Sequence, residues 1–250
     1  MTESATLAFS RVGHAFLGRS LFEDFDLAIS KGEAVALLGP SGSGKTTLLQ
    51  IAAGIVEPVR GRVSRGYHRQ AVVFQEPRLL PWMTLTDNIA YGLAARGEGI
   101  ARRRRTAERL AHAVGLEEAD FGKYPAELSG GMRQRANVAR ALAVDPDMLF
   151  LDEPFSATDV GLRRHLQDLL IAAAQEKGFS VLLVTHDLAE AVRVADRIVV
   201  LSARDGRIAA SRALAGRPGD RSERAIFQQV EAWSRDPVFG ELFSASERLR

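Results

Sequence analysis

Short, unbroken apolar runs recur along the chain: Ala34-Val35-Ala36-Leu37-Leu38, Val72-Val73-Phe74, Met148–Leu151, Val181–Val184 and Ile198–Leu201. Runs this short, bounded by glycine, proline or charged residues, predict strands buried on both faces. Between them lie stretches with helical spacing of apolar residues, from about Lys45 to Ala53, Leu162 to Glu176 and Leu188 to Val194. Strands alternating with helices predict a parallel α/β sheet. The start of the chain differs. Leu7 and Phe9 alternate with polar neighbours, a loop follows, and residues 25–31 read as a further strand. Residues 84–142 look mainly helical, with breaks at Gly97, Gly99, Gly115 and Pro125. Because the strand–helix alternation resumes afterwards, residues 84–142 predict a helical subdomain inserted into one domain spanning 1–250. The stretch 205–250 is an arginine-rich tail with one amphipathic piece, Ile226, Val230 and Trp233.

Composition narrows this only modestly. Hydrophobic residues make up 46% of the chain, enough for a core, which argues against disorder. No apolar stretch approaches the roughly 18–20 residues that span a bilayer. The start, Met1-Thr2-Glu3-Ser4, lacks the basic and apolar regions of a secretory signal, so a cytoplasmic location is expected. The absence of cysteine excludes disulfides and thiolate metal sites. A net charge of +2 does not argue for nucleic acid. The densest basic run, Arg102-Arg103-Arg104-Arg105, lies in a predicted helix from Ile100 to Val114. It reads better as a solvated face than as a phosphate patch.

The chemistry begins at Gly39-Pro40-Ser41-Gly42-Ser43-Gly44-Lys45-Thr46, directly after the first apolar run. Every fixed position of G-x-x-x-x-G-K-[ST] is present in the required strand–loop–helix context. Glycines let backbone N–H groups turn toward phosphate oxygens, and the helix that follows adds its positive end. Lys45 would bridge the β- and γ-phosphates, and the Thr46 hydroxyl would ligate Mg²⁺. Asp152-Glu153 ends the apolar run Met148–Leu151, at the strand end where open α/β sheets bind ligands. Asp152 suits Mg²⁺, and Glu153 suits a general base for water. Ser129-Gly130-Gly131 precedes a helix from Met132 to Ala143 and reads as a second anion site, or simply as a helix cap. One chain already holds its phosphates with residues 39–46, so a second γ-phosphate site points to a partner chain. His186, in Thr185-His186-Asp187, follows a buried strand and suits a γ-phosphate contact. Gln75 follows Val72–Phe74 and suits Mg²⁺ or the attacking water. Histidines 14, 68, 112 and 165 show no metal-ligand spacing.

These residues, in this order from about Leu7 to Leu201, resemble the nucleotide-binding subunit of an ATP-binding-cassette (ABC) transporter. The resemblance implies a P-loop NTPase fold with a parallel-sheet core, an N-terminal antiparallel β subdomain and an inserted helical subdomain. It implies ATP and Mg²⁺ as cofactors. It identifies residues 39–46 as Walker A, with Thr47 beside it. Gln75 becomes the Q-loop, Leu128–Gln134 the signature, residues 148–152 with Glu153 Walker B, and His186 the switch. Phe16 becomes the candidate aromatic stacked on adenine, where tyrosine is more usual and His14 is a neighbour. The D-loop is Ser156-Ala157-Thr158-Asp159, with Thr158 in place of the usual leucine and Asp159 retained. By the same resemblance, two copies (or one copy and a homologous cassette) sandwich two ATP molecules, each between one Walker A and the other signature. Closure drives membrane permease subunits through a groove near Gln75 and the helical subdomain, on the cytoplasmic face of the inner membrane.

The segment Gln75-Glu76-Pro77-Arg78-Leu79-Leu80-Pro81-Trp82, with Asp87-Asn88-Ile89, is similar to bacterial importers of the nitrate/sulfonate/taurine group, and pyrimidine-precursor importers share much of it. Such importers also use a periplasmic or lipid-anchored solute-binding protein. Leu79, Leu80 and Trp82 also read as a docking patch that says nothing about cargo. Two alternatives remain: an exporter or lipid-extraction ATPase of the same family, which the Leu79–Trp82 patch disfavours, and a non-transport cassette ATPase, whose coiled-coil kind the absence of a sustained heptad pattern disfavours.

Overall fold

The computed structural model describes residues 5–16, 19–156, 159–202 and 206–239. In chain order, β1 (Ala5–Phe16), β2 (Arg19–Ser30) and β3 (Ala34–Leu38) lead to α1 (Lys45–Ala52), then β4 (Arg60–Arg65) and β5 (Gln70–Val73). The helices α2 (Leu85–Ala95), α3 (Ile100–Ala113) and α4 (Gly130–Ala143) follow. Alternation returns with β6 (Met148–Asp152), α5 (Val160–Lys177), β7 (Ser180–Val184), α6 (Leu188–Val194) and β8 (Arg197–Leu201), then β9 (Ile208–Ala213) and α7 (Glu223–Ser234). The chain divides into two compact units. One comprises the described residues up to Tyr67 and from Ala174 onward; the other is His68–Ala173. No helix among the described residues is long and apolar enough to cross a membrane.

The first unit contains two sheets. In one, β1 pairs antiparallel with β2 on one side and β4 on the other. The sequence pattern suggests a loop after Phe9, yet β1 continues to Phe16. The reason is a change of phase. Leu7 and Phe9 face the core, and so does Val12, an odd step further on. Arg11, at φ 47°, takes up the extra residue, and the register shifts there. β2 repeats the device: Phe22 is out of phase with Phe25, Leu27 and Ile29, and Asp24 sits between at φ 50°. An extra residue that flips a strand's faces is a β-bulge.

Gly61 on β4 lies against this irregularity. It has φ 80°, and a Cβ there would stand 2.2 Å from the Arg11 carbonyl oxygen and 2.6 Å from that of Ser10. Both contacts are backbone, so no rotamer change relieves them. Gly61→Ala is therefore expected to destabilise the fold by more than about 2 kcal/mol, read as a lower melting temperature. An unchanged melting temperature would contradict this packing.

In the other sheet, β7, β3 and β8 run parallel and side by side, and β9 closes the edge antiparallel to β8. Every residue of β3 and β7 is buried, which explains their continuous apolar sequences. Parallel pairing places the carboxyl ends of β3 and β7 at one edge, with the Thr185 N–H donating to the Leu37 carbonyl at 3.3 Å.

In the second unit, β5 and β6 pair parallel, with Val73 opposite Leu151. α2, α3 and α4 pack on one another, and α4 also packs on β5. Arg102 and Arg104 pair with Glu98 and Glu108 along the helix surface, with the arginines about three-quarters exposed. Pairs this exposed are screened by solvent and add little to stability, consistent with a solvated face.

Candidate nucleotide site

In the first unit, the loop between β3 and α1 has the chemistry of an anion cradle. α1 begins at Lys45 with no side-chain cap and no acidic residue in its first turn, so its orphan N–H groups and positive dipole end face the loop. The N-cap position, Gly44, has φ 90°, and Gly42 has φ 80°. Both are left-handed conformations that glycine adopts without strain. At Gly39 a Cβ would lie 2.7 Å from Ser43 Oγ and 3.1 Å from Leu201 Cβ, so only glycine fits between the loop and the end of β8. Lys45 Nζ donates to the carbonyls of Gly39 and Pro40 at 2.7 and 2.9 Å. Its ammonium is thus held over the loop. Ser43 is 5% exposed, and its buried hydroxyl has no hydrogen-bond partner among the described residues. An unsatisfied buried hydroxyl costs about 1–3 kcal/mol, and a phosphate oxygen would satisfy it. The orphan hydroxyl, uncapped helix and glycine cradle all fit a phosphate chain.

The far end of α1 is tied down as well. Arg65 donates to the Ile51 and Ala52 carbonyls at 2.6 and 3.0 Å, and the Tyr67 hydroxyl donates to Ala52 at 2.7 Å. Arg65 sits where cationic groups complement a helix C-terminus. At the same sheet edge as the loop, His186 is exposed beyond β7. Asp187 next to it caps α6, accepting from the Ala189 and Glu190 N–H groups. Phe16 ends β1, but its side chain lies outside the described residues.

In the second unit, the parallel ends of β5 and β6 bring Gln75 and Glu153 together. Gln75 Nε2 donates to Glu153 Oε2 at 3.2 Å. Asp152, 4% exposed, is the last residue of β6. Glu153 has φ 46°, a conformation costing a non-glycine residue about 1–3 kcal/mol and clustering at functional sites. Ser156 holds the turn by donating both N–H and Oγ–H to the Glu153 carbonyl. Asp159 caps α5 through the Leu162 N–H at 3.0 Å. Ala157 and Thr158 lie outside the described residues, as does any effect of threonine there.

The signature forms the start of α4. Ser129 is the N-cap, accepting from the Met132 N–H at 3.2 Å. Its hydroxyl keeps a proton to donate. Ser129 and Gly130 are exposed, a Cβ at Gly130 would meet nothing within 4 Å, and α4 has no acid in its first turn. This is a second open, positive helix end.

Residues 22–156 match the sequence profile of the family described as ABC transporter. The chain belongs to the ABC transporter family. It is 46% identical over 195 residues to the aliphatic sulfonates import ATP-binding protein SsuB 1 of Pseudomonas savastanoi pv. phaseolicola, covering 78% of this chain and 79% of that protein. It is 40% identical over 251 residues to the taurine import ATP-binding protein TauB of Pseudomonas aeruginosa, covering 97% and 92%. Among solved structures it resembles the dimeric post-hydrolysis state of the ATP-binding cassette MJ0796 bound to ADP and Pi. There the TM-score is 0.78 at 30% identity, over 84% of this chain and 99% of that one. As an ABC ATPase cassette, the chain binds ATP.

One feature of this cassette has no clear signal in the sequence. A cleft of about 650 Å³ in the second unit is lined by Trp82, Tyr91, Ile100, Arg103, Arg104 and Tyr124 among others. Trp82 is 70% exposed and Ile100 76%. Of the sequence-level docking patch, Leu79 is instead buried and Leu80 half-buried, so Trp82 alone faces outward. Asn88, fully buried, shapes this loop: it accepts from the Leu80 N–H and donates to the carbonyls of Leu80, Met83 and Thr84. Among the described residues no cluster of three or more His, Cys, Asp or Glu could hold a metal by itself. A P-loop Mg²⁺ site does not need one, because phosphates and a threonine complete its shell.

Proposed function

We propose that this chain is the ATP-hydrolysing subunit of a bacterial ABC importer for a small organic sulfonate, a taurine-like or aliphatic solute. The observation that carries the reading is the phosphate loop, with its uncapped helix and orphan Ser43 hydroxyl, in a chain similar over nearly its whole length to a taurine import ATP-binding protein. The reaction is ATP and water to ADP and phosphate. Backbone N–H groups of residues 41–47, with Lys45 and Ser43, bind the phosphates, and Phe16 meets the adenine. Thr46, Gln75 and Asp152 are the oxygen donors that would hold Mg²⁺. Bound there, Mg²⁺ supplies charge neutralisation on the β- and γ-phosphate oxygens. Glu153 takes the proton of the attacking water, Gln75 orients that water, and His186 contacts the γ-phosphate.

Ser129, Gly130, Gly131 and Asp159 serve the nucleotide of a second copy. Ser129→Arg is accordingly expected to lower steady-state hydrolysis by about 10²-fold, while the affinity for a fluorescent ATP analogue stays within twofold of wild type. Normal hydrolysis would contradict the two-chain site. The cassette works peripherally on the inner face of the membrane. There the cleft at Trp82 receives a segment of the permease, and a solute-binding protein delivers the cargo from the other side. The cargo reading is tested by uptake of isotopically labelled taurine and an alkanesulfonate in cells lacking the chain. Loss of sulfonate uptake, restored by the wild-type chain, is expected; unchanged sulfonate uptake would contradict it.

A further inference from the structure

α4 does more than present the signature. Three of its side chains, spaced three residues apart, reach backbone near the hydrolytic site: two beside a site residue, the third at the far end of the Gln75 segment. Gln134, 1% exposed, donates through Nε2 to the Pro154 carbonyl at 2.9 Å, one residue after Glu153. Asn137, fully buried, donates through Nδ2 to the Phe74 carbonyl at 3.3 Å, one residue before Gln75. Arg140 donates to the Arg78 carbonyl at 2.6 Å and to Asn137 Oδ1 at 2.8 Å. The segment Phe74–Arg78 is thus pinned at both ends to one helix, and its own ends are joined by the Arg78 guanidinium over the Phe74 ring at 4.2 Å. Gln75 lies inside this clasp, 3.2 Å from Glu153.

Arg140 is the unusual member. Among the described residues its two hydrogen-bond partners are both neutral oxygens, and burial holds its pKa below the ordinary arginine value with no carboxylate among those residues to offset it. A part-buried cation served only by neutral acceptors is an expensive way to stabilise a helix, since apolar residues of similar size do so at lower cost. The planar fork of a guanidinium does one thing an apolar side chain cannot: it fixes two oxygens at a set separation.

We propose that Arg140 is a positioning residue for ATP hydrolysis, locking the Gln75 segment to the signature helix so that the two move together. A displacement of the Ser129 end of α4 on engaging the partner's nucleotide then carries Phe74–Arg78 with it, and sets Gln75 against Glu153. This rests on the assignment of Gln75 and Glu153 to the hydrolytic site. It makes Arg140 act through Gln75, touching neither ATP nor the attacking water.

The test is a double-mutant cycle on the full chain, measuring kcat and KM for ATP in wild type, Arg140→Met, Gln75→Ala and the double variant. Arg140→Met keeps the long stem and removes both hydrogen bonds. The expected result is a fall in kcat of about tenfold with KM within twofold, the size of effect a small misplacement produces. In the Gln75→Ala background the same change should cost less than about twofold, because residues acting as a unit are not additive. Arg140→Lys, which keeps the charge and one contact, should fall between wild type and Met; it also carries the test if the Met variant melts well below wild type. Wild-type kcat in Arg140→Met, or an equal loss with and without Gln75, would overturn the inference. Full hydrolysis by Gln75→Ala would overturn the site assignment and the inference with it. A slow Gln75→Ala beside an unimpaired Arg140→Met would overturn the inference alone.

Discussion

Glu153→Gln is expected to lower ATP hydrolysis by about 10²–10⁴-fold, the usual contribution of a positioned general base, while leaving ATP affinity within about twofold. The geometry explains the separation of the two effects. Glu153 sits just past the end of β6, at φ 46°, its carboxylate held by Gln75 Nε2 at 3.2 Å and its carbonyl by Ser156. Those contacts aim the side chain, and glutamine keeps its size and can still pair with Gln75. What it loses is the capacity to accept a proton. Stopped hydrolysis with intact binding should also trap the two-copy, ATP-bound state, visible as a dimer in size-exclusion chromatography with ATP and Mg²⁺. Hydrolysis near the wild-type rate would remove Glu153 from the role of base.

Lys45→Ala is expected to weaken ATP binding by at least about a hundredfold, since a charge-assisted contact contributes about 1.5–3 kcal/mol and Lys45 would make more than one. Lys45 has a second task. Its Nζ bridges the Gly39 and Pro40 carbonyls, so the same side chain keeps the loop folded without nucleotide. Arginine should not rescue binding. Lys45 is only 9% exposed, and a wider planar guanidinium does not fit the space of an ammonium. Isothermal titration with ATP distinguishes the outcomes; retention of wild-type affinity in the alanine variant would contradict the loop as the phosphate site.

The parts of this protein most legible in its sequence are those where chemistry fixes residue type and order. The phosphate loop needs glycine where φ is positive, as at Gly42 and Gly44, or where a Cβ would collide, as at Gly39, and lysine at one place, so residues 39–46 declare themselves. Strands buried on both faces, such as Val181–Val184, are equally plain because nothing polar interrupts them. Elsewhere the pattern misleads for physical reasons. β1 and β2 carry bulges at Arg11 and Asp24 that shift the buried phase, so strict alternation ends before the strands do. β4, with its arginines, and β9 have few buried residues, and their sequences look like loops. Asn88, Asn137 and Arg140 were invisible as a group because their principal partners are backbone carbonyls, which carry no residue identity. Arg140 in particular reads as one more arginine on a basic helix until its contacts are seen.

A role in import is tested most directly by purifying the tagged chain from detergent-solubilised native membranes and identifying by mass spectrometry what accompanies it. A multi-span permease is expected in stable association with two cassettes, its contact with the chain weakened when Trp82 is changed. Recovery only from the soluble fraction, in company with nucleic-acid-binding or ribosomal proteins, would contradict a role in import.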